Sequence, residues 1–164
     1  MTHLARNADS VARRLDGAAR GEVVDQYPGG AEGRAAEIDA GAGRSAGELV
    51  DDLAAAHARL DAAVAAMGDD VWDAPTRSVD GDLRPARDLP RGRWREVEVH
   101  HVDLGLGYEP DDWPDAFVRR ILPFALADIG HRLPGLAGVE PRTIVAWSYG
   151  RADPPGGLPV LDPF

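Results

Sequence analysis

Apolar residues recur along this chain mainly with the period of an α-helix. Leu4, Ala8, Val11 and Leu15 follow at i, i+4, i+7 and i+11, the spacing of one helical face, and Gly17 to Gly21 closes the segment. His3, Asn7, Ser10 and Arg14 run beside that stripe as a polar one. A glycine-rich stretch follows from about Arg20 to Arg44, containing Tyr27-Pro28-Gly29-Gly30 and room for a short helix around Ala31 to Asp39. Connections this long in a compact domain are often functional or mobile. Ser45-Ala46-Gly47-Glu48 reads as a capping box, in which Ser and Glu satisfy each other's free backbone donors. Behind it lies the clearest helix, with Leu49, Leu53, Ala56, Leu60 and Val64 on one face and Gly68 at its end. Residues 69–90, rich in Asp, Pro and Gly, read as an irregular crossover.

The next segment reads two ways. Val97, Val99, Val102, Leu104 and Leu106 alternate with polar residues, as in a half-buried strand. Wound as a helix, the same residues place Glu96 and His100 one turn apart on one face. The other helical segments favour the helix, ending near Gly105 to Gly107. A fourth helix is expected from Pro114, which suits a first helical position, to about Leu133, with a kink at Pro123. Thr143 to Tyr149 is strand-like, and Pro- and Gly-rich sequence follows. There is no internal repeat. The pattern predicts an all-α bundle with a short extended tail.

Composition narrows the partners. At 164 residues the chain suits one domain with a real core. Its 28 acidic against 18 basic residues give a net charge of −10, which repels nucleic-acid phosphates and anionic membranes. Every basic residue is Arg, which with the abundance of Ala, Gly and Asp reads as the codon bias of a GC-rich genome. The chain has no cysteine, so disulfides and thiolate ligands are excluded and any thiol chemistry needs a thiol from outside. No apolar run approaches the ~20 residues of a membrane span, and no signal-peptide pattern opens the chain, so the cytoplasm is the expected location. Met1-Thr2-His3-Leu4 enters the helical pattern at once, read either as a ragged helix start or as the truncated product of a longer reading frame.

The chemistry gathers on the Glu96/His100 face. Carboxylate and imidazole at that spacing are half a metal site, and His3 supplies a third ligand from the far end of the sequence. Two His and one Glu form a known catalytic zinc set, which leaves a coordination position open. The plain alternative is an i,i+4 surface pair worth roughly 0.2–0.5 kcal/mol. A competing register, Glu98-x2-His101, resembles the di-iron motif, but such sites need a second copy and none is present. Asp103, one turn beyond His100, reads either as a carboxylate orienting that imidazole or as an exposed helix acid. His57 reads as a partly buried, satisfied histidine, and His131 as a helix-end histidine favoured by the dipole. Trp72, Trp94, Trp113 and Trp147 read as packing anchors.

Taken together, His3-Leu4-Ala5-Arg6-Asn7-Ala8-Asp9, Tyr27-Pro28, Ala40-Gly41-Ala42-Gly43-Arg44, Arg95-Glu96 and His100-His101-Val102-Asp103-Leu104 resemble the mycothiol-dependent maleylpyruvate isomerase family, within the DinB-like metal-binding four-helix bundles. The resemblance covers residues 1 to about 134 and implies a DinB-like bundle there, with residues 135–164 as a shortened C-terminal segment. It implies a divalent metal, zinc being the expected one, held by His3, Glu96 and His100, with the sulfur of mycothiol, an actinobacterial thiol, at the open position. Coordination deprotonates a thiol near neutral pH. The nucleophile would add to the cis double bond of maleylpyruvate, and rotation and elimination would give the trans product. Ala146-Trp147-Ser148-Tyr149-Gly150-Arg151 matches a C-terminal motif of the family, making Arg151 the candidate for binding substrate carboxylates. The implied partners are a small thiol and a small electrophile, with the chain a monomer or homodimer. The family carries residues ahead of its His-Leu-Ala-Arg motif and a longer C-terminal domain. The second expectation is therefore a truncated, non-catalytic paralogue that keeps metal binding or acts as a structural bundle.

Overall fold

The structure, a computed structural model, describes residues 1–129, 138–158 and 160. Six helices dominate the described residues: α1 (Thr2–Ala19), α2 (Gly30–Asp39), α3 (Ala46–Ala65), α4 (Leu89–Val102), α5 (Asp115–Ile129) and α6 (Pro141–Ser148). The all-α expectation holds. A single hairpin, β1 (Pro75–Arg77) and β2 (Leu83–Pro85), interrupts them. The chain divides into two compact units, Met1–Glu96 and Val97–Phe164, with the division falling inside α4. The expected boundary near residue 134, the helix end at Leu133 and His131 lie outside the described residues.

In the first unit α1 packs along α3. Ala5 and Ala8 meet Ala56, flanked by Leu53 and Leu60, and the small side chains let the backbones approach closely. Val11, Ala12, Leu15 and Ala18 continue the seam against Ala63, with Met67, Val71 and Trp72 packed on it. The α3 stripe therefore ends on Ala63, and Val64, predicted to lie on the core face, is exposed. The Ser45/Glu48 capping box starts α3 as predicted. At the far end of α1, Gly21 takes φ +72°, and Glu22 N–H reaches back to the Gly17 carbonyl at 2.9 Å, closing a Schellman-type stop. Ion pairs brace the seam: Asp52 lies 2.6 Å from Arg6 and 2.8 Å from Arg44, and Arg59 lies 2.7 Å from Asp9.

The expected irregular crossover contains the antiparallel hairpin, which pairs Thr76 with Arg84 and turns through Gly81 at φ +90°. Its three-residue strands are too short for an alternating pattern to stand out. A 3-10 turn, Ala86–Asp88, then leads into α4, which settles the ambiguous segment as helix.

In the second unit Phe117, Val118, Ile121 and Ala125 of α5 are buried, and Leu122 and Leu126 pack on Ile144 and Trp147 of α6. The extended tail expected over Thr143 to Tyr149 is instead helical. Glu140 accepts the Arg142 N–H as a cap and Pro141 occupies the first turn, so the β-branched run is wound from its start. Burial of Ile144 and Trp147, three residues apart on one face, then outweighs intrinsic strand preference. Trp113 and Trp147 are deeply buried, as packing anchors should be, while Trp72 and Trp94 are half-buried. Trp113 stacks edge-on against Phe117 with ring centroids 5.3 Å apart.

Candidate metal centre

The sequence places His3 one residue into α1, where a helix normally frays. Here the helix start is pinned. Thr2 is buried, Ala5 N–H bonds to the Met1 carbonyl at 3.2 Å, and the turn after α2 brings Gly41 against Thr2. A Cβ on Gly41 would lie 2.4 Å from Thr2 Cγ2, so only glycine allows this approach. The imidazole is then held on both sides. Its Nε2 lies 2.8 Å from Glu96 Oε2, and its Nδ1 lies 3.3 Å from Arg34 Nη2 on α2. A guanidinium can only donate, so Nδ1 accepts from Arg34 and Nε2 faces the carboxylate.

Glu96 is buried, and Arg95 Nη2 contacts its other oxygen at 3.0 Å. His100 follows one turn later on the same continuous helix. Its Nδ1 lies 2.6 Å from Asp103 Oδ2, within hydrogen-bond distance of that carboxylate. Asp103 is in turn gripped by Arg151, Nε to Oδ1 at 3.0 Å and Nη2 to Oδ2 at 2.5 Å, while Arg151 Nη1 donates to the Tyr149 carbonyl. Burial raises the Asp103 pKa, but the hydrogen bonds from Arg151 and His100 outweigh it and hold the acid below its ordinary value. Asp103 thus stands as a carboxylate beside His100, and Arg151 is engaged with Asp103.

His3, Glu96 and His100 each offer one ligand atom, all within 4.8 Å of one another. Tetrahedral zinc ligands at bonds of about 2.1 Å stand about 3.4 Å apart, so three donors this close suit one shared ion. Two neutral nitrogens and one carboxylate also match the donor preferences of zinc. No other such group occurs among the described residues. Glu98 and His101, the alternative register, are used otherwise: Glu98 accepts from the Tyr108 hydroxyl at 2.5 Å, and exposed His101 stacks on Tyr108 at 3.9 Å.

Two arginines near the centre were not singled out from the sequence. Arg34 sat in a glycine-rich stretch with no periodic signal. Arg93 had one, since it precedes Glu96 by three residues on the same face, as Asn7 follows His3 by four. Arg93 is buried and donates to the Leu4 carbonyl at 2.9 Å, to Asn7 Oδ1 at 2.8 Å and to His57 Nε2. His57 is thereby a satisfied, half-buried histidine, as expected. The polar stripe of α1 is a buried seam: Asn7, Ser10 and Arg14 are each at most 7% exposed.

An all-helical scaffold carrying a two-histidine, one-carboxylate cluster has clear structural relatives. The mycothiol-dependent maleylpyruvate isomerase and a point mutant of it each superpose with a TM-score of 0.87 at 22% identity, over 99% of this chain and 79% of the other. At that identity the likeness establishes the fold. A family model, the mycothiol maleylpyruvate isomerase N-terminal domain, matches residues 1–105, and the chain belongs to that family. No curated protein sequence matches it. No helix among the described residues is long and apolar enough to cross a membrane.

Proposed function

We propose that the chain is a metal- and mycothiol-dependent enzyme that isomerises maleylpyruvate or transfers the thiol to a related small electrophile. The observation that carries this reading is the convergence of His3, Glu96 and His100 within 4.8 Å. These residues would hold the metal, zinc being the expected one, whose Lewis acidity lowers the pKa of a thiol reaching the open position. The chain's own residues prepare that position. Asp103 bonds to His100 Nδ1 and so orients the imidazole, and Arg151 fixes Asp103 through two contacts. The geometry thus supports Arg151 as a positioning residue acting through Asp103, in place of the substrate contact that the resemblance implied. Burial of Glu96 keeps water from competing for its charge.

Isomerisation then needs reversible addition of the thiol sulfur to one alkene carbon, rotation about the resulting single bond and expulsion of the same sulfur, with no net redox change. Metal analysis of purified protein should give about one zinc per chain. His100→Ala should lose the metal together with the absorbance change on adding mycothiol and maleylpyruvate. Metal bound at full stoichiometry with no turnover would refute the catalytic part and leave a metal-binding helical protein.

A further inference from the structure

Arg14 is only 7% exposed, yet it makes a single hydrogen bond, Nε to the Ser10 carbonyl at 3.2 Å. Its two terminal nitrogens have no hydrogen-bond or ion-pair partner among the described residues, and they are not sealed from open space. Burial lowers its pKa to about 10, and the charges acting on it include two further cations, Arg13 and Arg84, with no carboxylate. Tyr27 follows Gln26, whose carbonyl bonds to Arg13, so the tyrosine lies along the Arg13–Arg14 stretch of α1. The tyrosine is 1% exposed and its hydroxyl has no partner. It is not there by slack in the loop. Gln26 beside it is tied on two sides, its carbonyl accepting from Arg13 Nη1 and its side chain from Val79 N–H, each at 2.9 Å.

A buried guanidinium without a counter-ion is costly unless a ligand supplies the charge. Free guanidinium N–H donors and a free phenol donor along one stretch of α1 are groups suited to the two oxygens of a carboxylate. We propose that Arg14 and Tyr27, with Arg93 adjoining, form an anion site that takes a carboxylate of a small organic acid. The site lies along the polar seam of α1, whose His3 end carries the metal ligands; Arg14 is about 16 Å of helix rise beyond His3, and its long side chain leans back toward that end. Identifying the acid with the substrate rests on the function proposed above; the site itself does not.

The test is titration of the full chain with maleate, followed by calorimetry, in wild type, Arg14→Gln, Tyr27→Phe and His100→Ala. Saturable binding to the wild type is expected, weakened about tenfold or more in Arg14→Gln and several-fold in Tyr27→Phe. His100→Ala should bind maleate within about twofold of wild type, so the site is separable from metal binding and from its failure. Tyr27→Phe, which removes one oxygen, keeps the test decisive if Arg14→Gln does not fold. Equal affinity in Arg14→Gln and Tyr27→Phe, or no saturable binding at millimolar maleate, would overturn the proposal. Arginine-dependent binding of inorganic phosphate with none of maleate would overturn the carboxylate assignment.

Discussion

Replacing Asp103 by Asn changes one oxygen for an NH₂ group and removes one charge, at a side chain that touches both His100 and Arg151. The amide oxygen can accept from the imidazole or from the guanidinium, but the grip on both is lost. Removing such an outer partner of a ligating histidine typically weakens metal binding 10- to 100-fold. Asp103 has a side chain 40% exposed, and solvent screens part of its charge, so the lower end applies. The expected loss is about tenfold in zinc affinity, about 1.4 kcal/mol. Arg151→Gln leaves the Asp103–His100 hydrogen bond in place and should cost only about two- to fivefold, the range of a partly exposed ion pair. Competition against a chromophoric chelator measures both. Zinc affinity unchanged in Asp103→Asn, or an Arg151→Gln loss exceeding it, would refute the chain of orientation from Arg151 through Asp103 to His100.

Two further outcomes follow from the first unit. Gly41→Ala should destabilise the protein by about 1–3 kcal/mol in chemical denaturation, because its new Cβ meets the buried Thr2 side chain at 2.4 Å; it should also weaken zinc binding, since Thr2 anchors the helix turn bearing His3. His57 has its pKa lowered, first by burial and second by the neighbouring Arg93 charge. The unfolded chain therefore binds the proton more readily, and stability should fall as pH drops from about 6.5 toward the lower folded value. His57→Gln, which keeps an acceptor for Arg93, should flatten that part of the thermal-stability profile against pH.

The first and third helices were legible because each carried a periodic stripe and clear end signals: the glycines after Leu15, and Ser45 with Glu48 before Leu49. His3, Glu96 and His100 could be named as a set because helical spacing puts the last two together and motif resemblance supplies the first. Three features were not legible for physical reasons. The run Thr143 to Tyr149 has strand-like composition, and only its cap and its burial against α5 make it a helix. The hairpin strands are three residues each, shorter than a recognisable alternation. The polar stripe Asn7, Ser10, Arg14 carries no sign of its burial, because a sequence does not say that Arg93 will come to lie against Asn7.

The abutment of Gly41 on Thr2 ties together two positions separated by the whole of α1 and α2. Neither can grow unless the other shrinks, so drift at this pair is correlated. A relative bearing alanine at the turn should carry a smaller residue at the helix start, and the histidine that follows would keep its pose only where that exchange is matched.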